Sequence, residues 1–243
     1  MYEYKAYVPH GITFGDRHTW KDWKIVPTSR PVFNPPDPKY VMIDIPGSDE
    51  TVDMTESLTG FVHYNRRKGS FEFQVESRNP WQSVYEEIIN FIHGQKMRAI
   101  LDDDPAYFYE GRFKVNEWQS NEFKSLIVID YDVDPYKYEL ASSVEPWLWD
   151  PFNFNTGIIR EYADLQVDGE LDLTIIGYRK PVVPKLIVTV PSGRTLTVTF
   201  NGATFTLASG SSRILNIVIT DGENELHFEG YGTVSVDYRG GLL

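Results

Sequence analysis

Residues 125–138 constrain the fold more than any other stretch, because an apolar run there passes into an acidic turn that contains a proline. Residues 126–129 are Leu, Ile, Val and Ile, a composition typical of a short buried strand. Pro135 has no backbone N–H to offer a sheet, so the chain must leave the sheet near that residue. The strongest helix pattern precedes this stretch, and almost pure strand pattern follows it. We therefore predict two differently built domains, residues 1–138 and 139–243.

The composition narrows the classes of function. The chain of 243 residues has no cysteine, which excludes disulfides, thiol nucleophiles and cysteine zinc sites. The net charge of −12 disfavours nucleic acid and anionic membranes as partners, because phosphate binding requires a basic surface. No run approaches the ~18 apolar residues of a membrane helix, and the first residues lack a signal-peptide pattern. We expect a protein made in a cytoplasm that binds neither nucleic acid nor membrane.

The first half combines extended segments with one helix. Five prolines between residues 27 and 38 predict an extended connector or an arm at a sheet edge, and not a central strand. Residues 39–45 are predicted to form a strand stopped by Pro46 and Gly47, followed by a polar turn over residues 48–55. Residues 79–94 fit a helix with Asn79 as its cap. Its apolar face would comprise Trp81, Val84, Tyr85, Ile88, Ile89 and Ile92.

Several residues in this half invite a binding or metal hypothesis. Trp20 and Trp23 are either core residues or anchors of a protein contact. His10 and His18 have no further ligand at a metal-like spacing. The three aspartates at residues 102–104 are consecutive, so they cannot all turn their carboxylates to one calcium ion, and a turn before the next proline explains them better. We predict no metal site from these residues.

The second half consists of short strand patterns separated by turns, which favours an antiparallel sandwich. Asn201 and Gly202 lie between two alternating runs and predict a tight hairpin. Residues 209–212 are interpreted as a flexible turn. Trp147 and Trp149 stand close together, and two interpretations of them remain open. They form either a glycan-stacking platform or an apolar contact that closes one end of the sandwich or joins it to the first domain.

No catalytic motif is present in the sequence. It contains no Gly-x-Ser-x-Gly elbow, no phosphate-binding glycine loop and no His-Glu-x-x-His pattern. We therefore predict that the protein is not an enzyme and has no catalytic, cofactor-binding or metal-binding residues.

A set of short motifs, taken in order and spacing, resembles the distal tail proteins (Dit) of long, non-contractile tails of phages that infect Gram-positive bacteria. The motifs of the N-terminal domain lie at residues 18–23, 35–39 (the end of the proline-rich segment), 45–47, 52–55, 102–105, 109–115 and 135–138, with Arg66 between residues 55 and 102. Residues 221–226 and 232–241 resemble the last strands of the galectin-like C-terminal domain of the same proteins.

The resemblance implies a mainly β protein with one α-helix. Its first domain would be β-sandwich-like, with the helix and a projecting hairpin, and its second a galectin-like antiparallel β-sandwich. It implies a structural protein of the virion, a baseplate hub at the tail tip, that assembles into a ring expected to be hexameric. That ring would join the tail tube protein to the tail-tip protein, a tail-associated lysin, and could carry receptor-binding proteins. The resemblance brings no catalytic or cofactor residues.

Two sets of residues are predicted to make contacts. We place subunit contacts at Tyr64, Arg66 and Arg67, on a charged hairpin end that is expected to project. The two arginines would pair with acidic residues of a neighbouring copy. The alternative function is a carbohydrate-binding module that recognises host cell-surface glycans through Trp147 and Trp149.

Overall fold

The computed structural model describes residues 10–75, 81–120, 125–145 and 161–243, and it divides the chain into two compact units. The first unit spans Met1–Lys137 and the second spans Tyr138–Leu242. Strands dominate both units, and one helix is found among the described residues. Two curled antiparallel sheets give β-sandwich-like domains, which confirms the predicted fold class.

One antiparallel sheet organises the first unit. Its strands run in the order β2-β1-β7-β8-β9-β6-β3, while β4 and β5 form a separate two-stranded sheet. The elements are β1 (Ile12–Phe14), β2 (Arg17–His18), β3 (Ile25–Pro27), β4 (Met42–Asp44), β5 (Thr51–Asp53), β6 (Arg67–Val75), α1 (Trp81–Ile92), β7 (Lys96–Leu101), β8 (Tyr107–Ser120) and β9 (Ser125–Val133).

The apolar run at residues 126–129 lies in β9, in the middle of this sheet between β8 and β6. Ile127 and Ile129 are fully buried, and Phe73 of β6 packs in the same core. Strand β9 ends at Val133, just before Pro135. The proline therefore stands where the sequence predicts that the chain leaves the sheet.

Helix α1 covers this core with its apolar face. Ile88 and Ile92 are fully buried, and the partly buried Trp81, Val84, Tyr85 and Ile89 pack against the same cluster. The helix ends at Ile92, and Gly94 just beyond it has a φ of 76°, the left-handed conformation that glycine adopts at little cost. The predicted cap, Asn79, lies outside the described residues.

The second unit contains one larger sheet. Its strands run in the order β14-β13-β16-β12-β15, with β11 pairing with β16, while β10 pairs with β17. The elements are β10 (Lys137–Glu139), β11 (Leu165–Gly177), β12 (Lys185–Thr189), β13 (Leu196–Phe200), β14 (Ala203–Leu207), β15 (Gly210–Ser212), β16 (Gly222–Asp237) and β17 (Gly241–Leu242).

Of two turns predicted in this unit, one is confirmed and the other is a strand. Asn201 and Gly202 have φ values of 48° and 78° and join β13 to β14, as the sequence predicts. The interpretation of residues 209–212 as a flexible turn is wrong for Gly210–Ser212, which form β15. That strand pairs with β12 at the edge of the sheet, because Gly210 lies opposite Val188 and Ser212 opposite Leu186.

None of the helical structure in the described ranges has both the length and the apolar character needed to cross a bilayer.

Candidate functional site

The most exposed structured element of the first unit is the hairpin formed by β4 and β5. Within the described ranges it pairs with no other strand. Residues 39–60 are all exposed apart from the half-buried Thr55. We refer to residues 39–63 as the arm. Its base is closed by a bridge between Pro38 and Tyr64 and by a 2.8 Å hydrogen bond from the Lys39 N–H to the His63 carbonyl.

The tip of the arm is a tight turn built by Pro46 and Gly47. The Ser48 N–H donates to the Ile45 carbonyl at 3.1 Å, and Gly47 has a φ of 82°. Proline followed by a glycine with positive φ is the signature of a type II turn. The residue types at the tip therefore fix the reversal of the chain.

One face of the arm is apolar. Ile43 pairs directly with Val52, and the Met54 N–H donates to the Val41 carbonyl, so these four residues share a face. Strand alternation adds Ile45 to the same face. We call these five residues the apolar face of the arm: Val41, Ile43, Ile45, Val52 and Met54. Each of them is between 39% and 52% exposed.

The apolar face is the surface best suited to contact another protein. The opposite face of the hairpin is the more polar one, since it carries Asp44, Thr51 and Asp53 beside a single apolar residue, Met42. A two-stranded hairpin alone in water is at best marginally stable. A contiguous exposed apolar patch marks an interaction site more often than scattered apolar residues do. We therefore expect the arm to be stabilised when its apolar face packs against another protein surface.

The projecting hairpin does not lie where the sequence analysis placed it, around Tyr64, Arg66 and Arg67. The structure has the hairpin at Met42–Asp53, and these three residues lie at the base of the arm and at the start of β6. Tyr64 bridges to Pro38 and contacts the ring of Tyr136 edge-on, with 6.0 Å between centroids. The local charge of the segment suggested exposure, but pairing within the chain holds it against the sheet.

Arg66 already has acidic partners in its own chain. Its guanidinium forms ion pairs with the carboxylates of Asp132 and Asp134. Its Nη2 also donates to the Asp132 backbone carbonyl at 2.8 Å. A contact between Arg66 and a neighbouring copy stays a prediction, and it would have to add to this network or replace it.

Arg67 is buried, and its interpretation as part of a solvated hairpin end is therefore wrong. The residue is 5% exposed. Its Nε donates to the Pro135 carbonyl at 2.7 Å and its Nη1 donates to the Asn34 carbonyl at 3.0 Å. The guanidinium carbon lies 5.4 Å from the ring centroid of Tyr109. Burial lowers the pKa of the Arg67 guanidinium, because the charged form loses hydration. A contact between Arg67 and a second copy is likewise only a prediction.

The three consecutive aspartates diverge to separate partners. The pairs are Asp102 with His18, Asp103 with His10 and with Arg30, and Asp104 with Lys137. Across the ranges that the structure describes, no group of three or more His, Asp or Glu side chains could hold a metal ion. The three carboxylates thus link separate segments of the first unit through ion pairs and hydrogen bonds.

His18, the partner of Asp102, is nearly fully buried. Its Nδ1 accepts hydrogen bonds from the Trp20 and Lys21 N–H groups, both at 3.0 Å. Its Nε2 must therefore carry a proton and donate to Asp102 at 3.0 Å. Both ring nitrogens of His18 therefore make structural hydrogen bonds.

Two of the four tryptophans considered as contact residues, Trp20 and Trp23, lie in the described part of the chain. Trp23 is 1% exposed and belongs to the core of the first unit, and Trp20 is half-buried beneath Lys24. The core interpretation is thus confirmed for the burial of Trp23, although its ring N–H has no hydrogen-bond partner among the described residues. Trp147 and Trp149, the predicted glycan or inter-domain residues, lie outside the described residues.

The apolar face was missed by the sequence analysis, although its signal is present. Val41, Ile43 and Ile45 alternate with other residues before the turn, and Val52 and Met54 alternate after it. The strand predicted for residues 39–45 and the polar turn predicted for residues 48–55 treat these two runs separately. Taken as one hairpin about Pro46 and Gly47, the two runs predict a shared apolar face.

Comparison with known proteins gives a fold and no sequence family. No protein-family model and no curated protein matches the chain. Among solved structures, the fold is similar to that of the Dit protein (gp 19.1) of SPP1, with a TM-score of 0.59 and 10% sequence identity. The similarity covers 97% of this chain and 100% of that one. That protein is described as a paradigm of the hub adsorption apparatus in phages that infect Gram-positive bacteria.

Proposed function

We propose that this chain is a distal tail hub protein of a phage that infects Gram-positive bacteria. The likeness of fold to the SPP1 hub protein supports this proposal, because it extends over both units of the chain. The hub would be a structural component of the virion, at the tip of the tail. It would join the tail tube protein to the tail-tip protein and to proteins that recognise the host.

The apolar face of the arm is the observation that carries the proposal. A closed ring of identical subunits needs a head-to-tail contact in which one surface patch meets a different patch of the next copy. The arm is separate from the sheet of its own unit, and its apolar residues are exposed. We propose that the apolar face of the arm docks on a second copy of the chain and that such contacts close a hexameric ring.

The net charge of the chain favours an apolar contact of this kind. Each copy carries a formal net charge of −12, so copies repel one another at long range. Apolar burial contributes about 25 cal/mol per Å² removed from water and does not depend on the sign of the charges. The arm thus supplies an attraction that a surface dominated by acidic residues would otherwise lack.

The buried histidine and the adjacent aspartates, which could suggest an enzymatic function, make structural contacts. The buried histidine uses both ring nitrogens in structural hydrogen bonds, and the three adjacent aspartates each hold a different basic partner. The protein of similar fold is described as a hub and not as an enzyme. A structural role therefore accounts for these side chains.

Ile43→Glu combined with Val52→Lys is expected to weaken self-association at least about tenfold, equivalent to about 1.4 kcal/mol. The two residues are direct cross-strand partners, so the introduced charges can pair and preserve the hairpin while making its apolar face polar. Sedimentation velocity over a concentration series measures the effect. The matched control is Asp44→Glu with Thr51→Lys, which places the same charge pair on the opposite face.

The control is expected to associate like the wild type, and circular dichroism should show both variants folded. Equal association of the wild type and of the variant with charges on the apolar face would contradict the proposed role of the arm. Equal weakening in both variants would show that charge alone, and not the apolar face, governs association.

A further inference from the structure

The end of the arm hairpin nearest its base depends on the side chain of Thr55. In an antiparallel ladder, the two residues of a hydrogen-bonded pair exchange two N–H···O=C bonds. Val41 and Met54 make the first of these bonds, because the Met54 N–H donates to the Val41 carbonyl at 2.8 Å. The Met54 carbonyl accepts from the Ser57 N–H at 3.1 Å, and the Val41 N–H donates to the Thr55 hydroxyl oxygen, Oγ1, at 3.1 Å. The Thr55 side chain therefore replaces a ladder carbonyl at the point where the chain turns away from the strand.

Asp53 orients Thr55 for this role. Its carboxylate oxygen Oδ1 accepts a hydrogen bond from the Thr55 N–H at 2.9 Å. Hydrogen bonds from the Thr55 side chain and from the Thr55 N–H lower the pKa of the Asp53 carboxyl, so folding of the arm favours the ionised carboxylate. A hydroxyl group can accept one hydrogen bond and donate another. The Thr55 hydroxyl thus links the Val41 N–H to the Asp53 carboxylate.

These hydrogen bonds order one end of the apolar face. Val41 and Met54 are two of its five residues, and strands β4 and β5 supply only three further residue pairs. A hairpin of this size is marginally stable by itself, so one or two hydrogen bonds change the fraction of molecules in which it is formed. When only part of a population has the binding-competent shape, the apparent dissociation constant rises by the inverse of that fraction. The order of the arm is therefore coupled to the affinity of any contact that the apolar face makes.

We propose, on the basis of the function proposed above, that Thr55 and Asp53 hold the arm in the shape in which it docks on a second copy of the chain. Both are positioning residues, because they act through the backbone of Val41 and Met54, whose side chains make the contact. Removing the Thr55 hydroxyl therefore weakens self-association, although all five side chains of the apolar face remain unchanged.

Thr55→Val tests this role, because valine has nearly the shape of threonine and lacks the hydroxyl. We expect self-association to weaken about three- to tenfold, the effect of losing one or two partly exposed hydrogen bonds. Sedimentation velocity over a concentration series measures this change. Hydrogen exchange followed by mass spectrometry should show faster exchange of the arm amides, including that of Val41. The core of the first unit, as far as the structure describes it, contains no residue of the arm, so circular dichroism should show a folded protein.

Two matched variants separate the hydroxyl from the substitution itself. Thr55→Ser keeps the hydroxyl and is expected to associate within about twofold of the wild type. Thr51→Val makes the same substitution on the opposite face of β5 and is also expected to stay within about twofold.

The outcomes distinguish the positioning role from the proposed function. Suppose that the wild type associates and that Ile43→Glu with Val52→Lys weakens this association. Equal association of Thr55→Val and the wild type would then overturn the positioning role alone. Equal weakening by Thr55→Val and Thr55→Ser would overturn it as well, since the hydroxyl would not be the group that matters. A wild type that stays monomeric at every concentration would overturn the proposed docking and the positioning role with it.

Discussion

Replacing Arg67 by alanine is expected to lower the free energy of unfolding of the first unit by about 2–4 kcal/mol. The substitution removes the donors that the backbone carbonyls of Asn34 and Pro135 now have and leaves a space beside Tyr109. Both carbonyls belong to segments that run in irregular structure, so they have no strand partner to replace the guanidinium. Urea unfolding followed by tryptophan fluorescence measures the loss.

Arg66→Ala is the matched control for this prediction. Arg66 is the neighbouring residue and has the same side chain, but its ion pairs with Asp132 and Asp134 are partly exposed. Partly exposed ion pairs contribute about 0–1 kcal/mol, so this variant should unfold close to the wild type. Similar losses in both variants would show that burial of Arg67 does not determine its contribution.

Replacing Phe33 by alanine is expected to cost about 3–5 kcal/mol, the usual range for deleting a buried phenylalanine. Phe33 lies in the proline-rich connector and is 3% exposed. Its ring stacks on that of Tyr109 with 3.9 Å between centroids, and it meets Phe71 and Tyr131 edge-on at 5.0 and 4.8 Å. Phe33 therefore supplies the apolar anchor of the connector, beside the hydrogen bonds that join Asn34 to Tyr131 and Arg67.

Val32→Ala is the comparison for Phe33→Ala, because Val32 precedes Phe33 in the connector and is 65% exposed. Its truncation should change the free energy of unfolding by less than about 0.5 kcal/mol. Thermal or urea unfolding of both variants distinguishes anchoring by Phe33 from a general sensitivity of the connector. A loss below about 1 kcal/mol for Phe33→Ala would contradict the anchoring.

These two sites show which parts of the fold the sequence could predict. Strand β9, helix α1 and the turn at Asn201 and Gly202 were predictable because their signals are local: an apolar run, a helical periodicity and a turn pair. The burial of Arg67 was not predictable in this way. Its two carbonyl partners lie 33 and 68 residues away in sequence, and the local charge of its segment suggests a solvated surface.

The candidate site shows the same difference between local signals and contacts that form only in the fold. The apolar face of the arm depends on pairing two three-residue strands, and each is too short to give a clear periodic signal alone. The family resemblance implied a projecting hairpin, but the choice of its position by charge was wrong, because charge does not report pairing within the chain.

The mass of the purified protein, measured by multi-angle light scattering over a concentration series and followed by imaging of the largest species, tests the central claim most directly. We predict a discrete closed ring whose mass is an integer multiple of the chain mass and whose population falls when Ile43→Glu and Val52→Lys are introduced together. A protein that stays monomeric at every concentration, with and without those substitutions, would contradict the claim that the arm joins copies of this chain.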